Sequence, residues 1–126
     1  MRHELSSKIL WEVRKDSAVA SMPVAEQIRR IEARHVAAAE ARGDRLAKQV
    51  MGRAARHLAW GIQILVHAYN PRLVVLEGQV CRWKHFVDAV KKNYSELYGI
   101  IPKDSVRIST SRLGHPGVLG AAALFA

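Results

Sequence analysis

Glu77-Gly78-Gln79 follows directly on the apolar run Leu73-Val74-Val75-Leu76, which a long apolar stretch and an Asn70-Pro71 stop precede. An apolar strand that ends on a glycine is a place where an α/β fold brings backbone N–H groups up to a ligand, because no Cβ stands in the way. The chemistry on offer is binding rather than bond breaking, through the backbone at Gly78. Glu77 works against an anionic ligand there, since a carboxylate repels phosphate unless a metal or an arginine intervenes. Further on, Ser109, Thr110 and Ser111 have hydroxyls that could bond a phosphate, although hydroxyls after a strand more often satisfy loop backbone.

Other chemistry-bearing side chains give weaker signals. The histidines do not form a metal-helix pattern: His57 and His67 lie ten apart, nearly three turns, and no two histidines stand four apart. His67 reads as a hydrogen-bonded packed residue, and His115-Pro116 as a turn before the last helix. The single Cys81 excludes a disulfide within the chain and a cysteine-rich zinc site, and reads as a small packed residue after the glycine. Trp11, Trp60 and Trp83 have helical neighbours and are assigned to core or interface packing. The chain contains no P-loop, no dinucleotide fingerprint and no Gly-x-Ser-x-Gly elbow.

The elements that must position these residues are legible from periodicity. Residues 5–15 place Leu5, Ile9, Leu10 and Val13 at helical spacing, and residues 16–22 read as a loop. Pro23 suits a first helical turn, and the following stretch to Arg42 reads as an exposed helix or helix pair. Gly43 is expected as a C-cap and Asp44 as the N-cap of the next helix. That helix, Arg45 to Tyr69, carries a stripe of Leu46, Val50, Ala54, Leu58, Ile62, Leu65 and Tyr69. Its second half is apolar nearly all round, which predicts cover on several sides. Gly52 and Gly61 inside it predict close approach of a neighbour.

Leu73 to Leu76 predicts a strand buried on both faces, as in a parallel sheet. Residues 83–98 return to helical spacing with Phe86, Val87, Val90, Tyr94 and Leu97 inward and Lys84, Lys91 and Lys92 outward. Gly99 is expected to close that helix, with Pro102 preventing its continuation. A second strand follows at residues 106–109. A small-residue helix at 117–125 should pack on the sheet through Ala121, Ala122 and Ala123. The fold class is therefore α/β: a helix-rich chain with a small parallel sheet, in the order helices, strand, helix, strand, helix. It reads as one domain over residues 1–126, with N-terminal helices at 1–42 and the core at 43–126. Two strands are few for a parallel sheet, which predicts either membership of a larger fold or completion by a second copy.

Composition narrows the partners. Twenty basic and eleven acidic residues give a formal charge of +9, but the cations are scattered among acids without a dense run. A solvated basic surface is the favoured reading over a nucleic-acid face. Aromatic residues at 6% are too sparse for a base-stacking platform. The N-terminus lacks the apolar core of a signal peptide, and no apolar run reaches the roughly 18 residues of a membrane span. A reduced cytoplasmic setting, with no membrane contact, is expected.

The succession Gly43-Asp44, amphipathic helix, Asn70-Pro71, Leu73-Val74-Val75-Leu76, Gly78, Ser111-Arg112-Leu113-Gly114 and Gly120-Ala121-Ala122 resembles the C-terminal end of the ROK family, which groups sugar-responsive repressors, open reading frames and sugar kinases. The resemblance is clearest from His35 onward. It implies the last portion of the second lobe of an actin-like ATPase-type fold. It also implies that the turn holding Gly78 and Gln79 faces the adenosine part of a nucleotide. Glu77-Gly78-Gln79 stands where the kinases usually carry two or three glycines. No Asp-Gly-Gly-Thr-like phosphate segment, Asn-Asp base pair, cysteine-rich zinc segment or helix-turn-helix head is present, and in a full-length relative these would lie upstream of Met1.

The resulting expectation is the sugar-sensing and dimerisation portion of a ROK-type carbohydrate-responsive transcriptional regulator, with no catalytic residue, metal or cofactor of its own. The alternatives are the corresponding portion of an ATP-dependent hexose kinase, where ATP would bind only in the intact relative, and a stand-alone dimerisation module. Expected partners are a second copy, a missing lobe or another chain, a sugar only with the full fold, and DNA only through a segment not present.

Overall fold

A computed structural model describes residues 7–124. Four short helices, α1 (Ser7–Val13), α2 (Ser17–Ala20), α3 (Val24–Arg29) and α4 (Ala33–Ala41), lead into the 25-residue α5 (Arg45–Tyr69). Strand β1 (Leu73–Leu76), α6 (Lys84–Glu96), β2 (Arg107–Thr110) and α7 (Pro116–Ala123) complete the chain, with one-turn 3-10 helices at Val80–Arg82 and Lys103–Ser105. The predicted order of helices, strand, helix, strand, helix is the observed one. Leu5 and Phe125 lie outside the described residues.

The joins obey local rules. The Asp44 side chain accepts a hydrogen bond from the Ala47 amide at 2.8 Å and so caps α5. Gly43, at φ +80, reverses the chain after α4. Asn70 ends α5 in the left-handed region at φ 45, a conformation an asparagine tolerates better than most residues. Residues 16–22, expected as a loop, instead contain the short α2. Asp16 nucleates it by accepting from the Ala18 amide at 3.0 Å. Pro23 sits at the N-cap of α3 rather than inside its first turn.

Helices α4 and α6 both pack on α5, and α1 packs on α4. The buried face of α5 is Ala47, Met51, Ala55, Ala59, Ile62 and Val66. The predicted stripe is therefore rotated by about one residue, and of its members only Ile62 is buried. Alanines line much of this face, which lets the neighbouring helices approach closely, while bulkier Val50, Leu65 and Tyr69 point away. α6 behaves as expected: Phe86, Val87, Val90 and Tyr94 are buried, and Leu97 packs against the same core. Each such apolar burial contributes roughly 1.5–3 kcal/mol. A second small cluster, Ile9, Ala39 and Ala47, ties α1 and α4 to the start of α5. There Glu12 pairs with Lys15 at 2.6 Å and Arg42 at 3.0 Å, and both cations lie over the exposed ring of Trp11.

β1 and β2 pair in parallel, Leu73 opposite Arg107 through Leu76 opposite Thr110. Only one face of β1 is covered. Val74 and Leu76 join the core, whereas Leu73 and Val75 (53% exposed) face outward, so the expectation of burial on both faces fails. The second half of α5 is likewise open: Ile64 is 68% and Tyr69 77% exposed, and Trp60 is half-exposed beside His57. Among the described residues nothing stands within 4 Å of where a Cβ of Gly52 or Gly61 would be, so no described element approaches them. Nor does α7 pack its alanines on the sheet; Val118 is 70% exposed and residues 121–124 are all exposed. In each of these places an apolar face stands open, and the described residues supply no layer to cover it.

Gly99 does not cap α6, which ends at Leu97 in extended backbone. A side chain at Gly99 would instead collide with the Gln63 amide. His67 is hydrogen-bonded as expected, although exposed. Its Nε2 accepts from the Ile100 amide at 3.4 Å, so its Nδ1 carries the proton and donates to the Gln63 carbonyl at 2.8 Å.

Candidate functional site

Both strands end at the same side of the sheet, and an open cleft of about 520 Å³ lies beyond their carboxyl ends. This is the position at which parallel α/β sheets receive ligands, because the loops there diverge and leave backbone groups unpaired. Glu77, Gly78 and Gln79 form one wall, following Leu76 out of β1. Thr110 and Ser111, leaving β2, with the loop to α7 form the other.

Gly78 adopts φ +114, which an L side chain rarely reaches, while nothing stands within 4 Å of its missing Cβ. Backbone conformation rather than crowding therefore requires glycine here. The turn tightens into the 3-10 helix at Val80–Arg82, where the Cys81 amide donates to the Gly78 carbonyl at 3.1 Å and the Arg82 amide to that of Gln79 at 3.2 Å. The amides of Gly78 and Gln79 have no hydrogen-bond partner among the described residues, so two N–H donors remain available at the cleft. Glu77 is exposed on the same wall.

Two further groups of the lining were given no role by sequence reasoning. Arg82 reaches across the cleft, its Nη2 donating to the Gly114 carbonyl at 3.5 Å. It is the one arginine of the described lining. The only signal for it was its place a few residues beyond the strand-ending glycine. The loop Leu113-Gly114 was part of the sequence motif, but its position opposite Gly78 follows from the parallel pairing alone.

The three hydroxyl residues divide. Ser109 lies within β2, whereas Thr110 and Ser111 reach the cleft. Ser111 Oγ accepts from the Leu113 amide at 3.3 Å, the loop-satisfying role that such hydroxyls usually take. His115 lines the cleft as the residue before α7, without capping that helix through its side chain. Cys81 is half-buried in the wall, and burial pushes its thiol above the ordinary cysteine range. No hydrogen bond among the described residues joins a hydroxyl or thiol of the lining to Glu77 or His115, so no activated nucleophile is assembled. The described residues also bring together no group of three His, Cys, Asp or Glu side chains fit to hold a metal ion. No helix among them is long and apolar enough to cross a membrane.

The cleft can therefore bind through amide donors, a threonine hydroxyl and one guanidinium, with a carboxylate opposing an anion. The family model that matches this chain is that of the ROK family, over residues 14–126, beginning well before His35. No curated protein matches the chain.

Proposed function

Since the chain belongs to the ROK family, we propose that it is the C-terminal, sugar-sensing and dimerising portion of a ROK-type carbohydrate-responsive transcriptional regulator, and that it catalyses nothing on its own. The observation that carries this reading is Glu77, exposed at the mouth of the cleft beside the glycine whose amide would otherwise receive a phosphate or adenosine group. A carboxylate 4 Å from a phosphate charge opposes it by about 1 kcal/mol in water and about 4 kcal/mol at an effective dielectric of 20. That penalty matters little to a protein that senses an uncharged sugar, and much to one that must hold ATP.

In this reading Gly78 and Gln79 are an inherited nucleotide turn, without a cofactor in this chain. DNA contact belongs to a segment outside these residues, and the sugar to the completed two-lobed fold in the cytoplasm. Self-association is assigned to the uncovered apolar residues of α5, β1 and α7, which water penalises when left open. A second reading, the corresponding portion of a hexose kinase, draws on Arg82, whose guanidinium in the same cleft could offset Glu77.

Titration with ATP and with Mg-ATP, alongside a coupled hexose phosphorylation assay, tests the assignment. We expect no turnover and no saturable ATP binding, and we expect Glu77→Gly to raise ATP affinity. Turnover by these residues alone, or ATP binding that Glu77→Gly leaves unchanged, would overturn it.

A further inference from the structure

Away from the cleft, a second and larger concavity of about 770 Å³ lies between α4 and the start of α6. Its size falls within the roughly 300–1,000 Å³ usual for small-molecule sites. The floor is apolar: Ala37, Ala38 and Ala41 of α4 form one side, and Trp83 with Phe86 the other. The small side chains on α4 leave the space open, and the half-buried indole and buried phenyl ring give it a firm wall.

Cations stand at its rim, namely Arg34, Lys48, Arg82 and Lys84. Two of these are already matched, Arg34 by Glu32 at 2.9 Å and Lys84 by Asp88 at 2.6 Å. The other two are not. Lys48 has no carboxylate partner among the described residues, and Arg82 reaches only the Gly114 carbonyl. The lining's one described carboxylate, Glu40, is mostly covered, with Nδ1 of His85 3.5 Å from it. An apolar slot is thus edged by two uncompensated positive charges. Neither a neutral apolar ligand nor a simple inorganic anion would use both features.

We propose that this groove is a binding site for a small organic anion with an apolar body: the body lies against the alanine and aromatic floor and the acid group meets the charge of Lys48 and Arg82. The groove shares Arg82 with the Gly78 cleft but otherwise has its own lining, and it does not depend on the chain's being a regulator or a kinase portion.

Octanoate and octanol, of equal chain length but one anionic and one neutral, are the probes for calorimetric titration of the full chain, with the Trp83 indole NMR signal as a second readout. Octanoate should saturate and shift that signal, and octanol should bind at least about ten-fold more weakly, the factor expected for one well-placed charge contact. Lys48→Glu alters an exposed side chain without an ion-pair partner among the described residues, so it should keep the fold and weaken octanoate by a similar factor. Ala38→Phe should fill the slot and abolish the shift. Absence of octanoate binding, equal binding of octanol, or unchanged affinity in Lys48→Glu would each overturn the proposal. Displacement of octanoate by ATP at lower concentration would do so as well, by making the groove a nucleotide site.

Discussion

The side-chain amide of Gln63, in the last third of α5, donates to the Tyr98 carbonyl at 2.9 Å, across 35 residues of sequence. Its oxygen accepts from Lys103 Nζ, and that ammonium lies 4.1 Å above the ring of buried Tyr94. One glutamine thus fastens the α6–β2 connection to the helix on which the sheet rests. Gly99 leaves the room that this amide occupies.

Gln63→Ala should therefore cost about 1–2 kcal/mol, the loss of two partly exposed side-chain hydrogen bonds. Gly99→Ala should destabilise through collision with the same amide. The two changes should be non-additive by about 0.5 kcal/mol or more, because removing the amide removes most of the collision. Urea unfolding of the two single variants and the double variant measures the coupling; strict additivity would contradict the contact.

Glycine substitutions should split by position. Gly78→Ala forces an L residue to φ +114 and should cost about 1–3 kcal/mol. Gly52→Ala and Gly61→Ala lie in α5 with open space around them and should each stabilise by about 0.5–1 kcal/mol. Thermal unfolding of the three variants decides it, and a destabilised Gly61→Ala would show that a neighbour does approach that face in solution.

Asp44→Ala should destabilise by about 1–2 kcal/mol, through loss of the cap on the longest helix at a buried position. Asp44→Asn keeps an acceptor for the Ala47 amide and should recover most of that loss. Far-UV circular dichroism during denaturation reads both.

Cys81 should alkylate more slowly than a free cysteine at neutral pH, with its rate rising only above the ordinary thiol range, because burial holds the thiol protonated. The linkage sign follows from a folded pKa raised above the unfolded value. The stabilisation from the protonated thiol is complete below the unfolded pKa and is lost as pH rises through the folded one. Iodoacetamide kinetics against pH check the first statement. Cys81→Ser, lacking a thiol to titrate, should remove this part of the loss in stability at high pH.

What the chain declares in its sequence and what it conceals differ for physical reasons. The Asn70-Pro71 stop, the Asp44 cap and the inward face of α6 are local or strongly periodic, and they appear where expected. The buried face of α5 was displaced because its alanines carry little hydropathy signal, and bulkier neighbours one residue away pull the apparent stripe toward themselves. Cover over α5, β1 and α7 could not be read at all, since a hydrophobic face announces a need for a partner and not the partner's presence. At the cleft, the strand-ending glycine was legible. Arg82 was not, because its reach to Gly114 depends on a loop 32 residues further along.

Arg82 lines both the Gly78 cleft and the groove between α4 and α6. Two occupants that each draw on a single movable charge are thermodynamically coupled. Whatever factor the first imposes on the second's dissociation constant, the second returns to the first. For two anions that both drew on the Arg82 guanidinium the coupling would be antagonistic, each weakening the other's hold without a hinge or a moving domain.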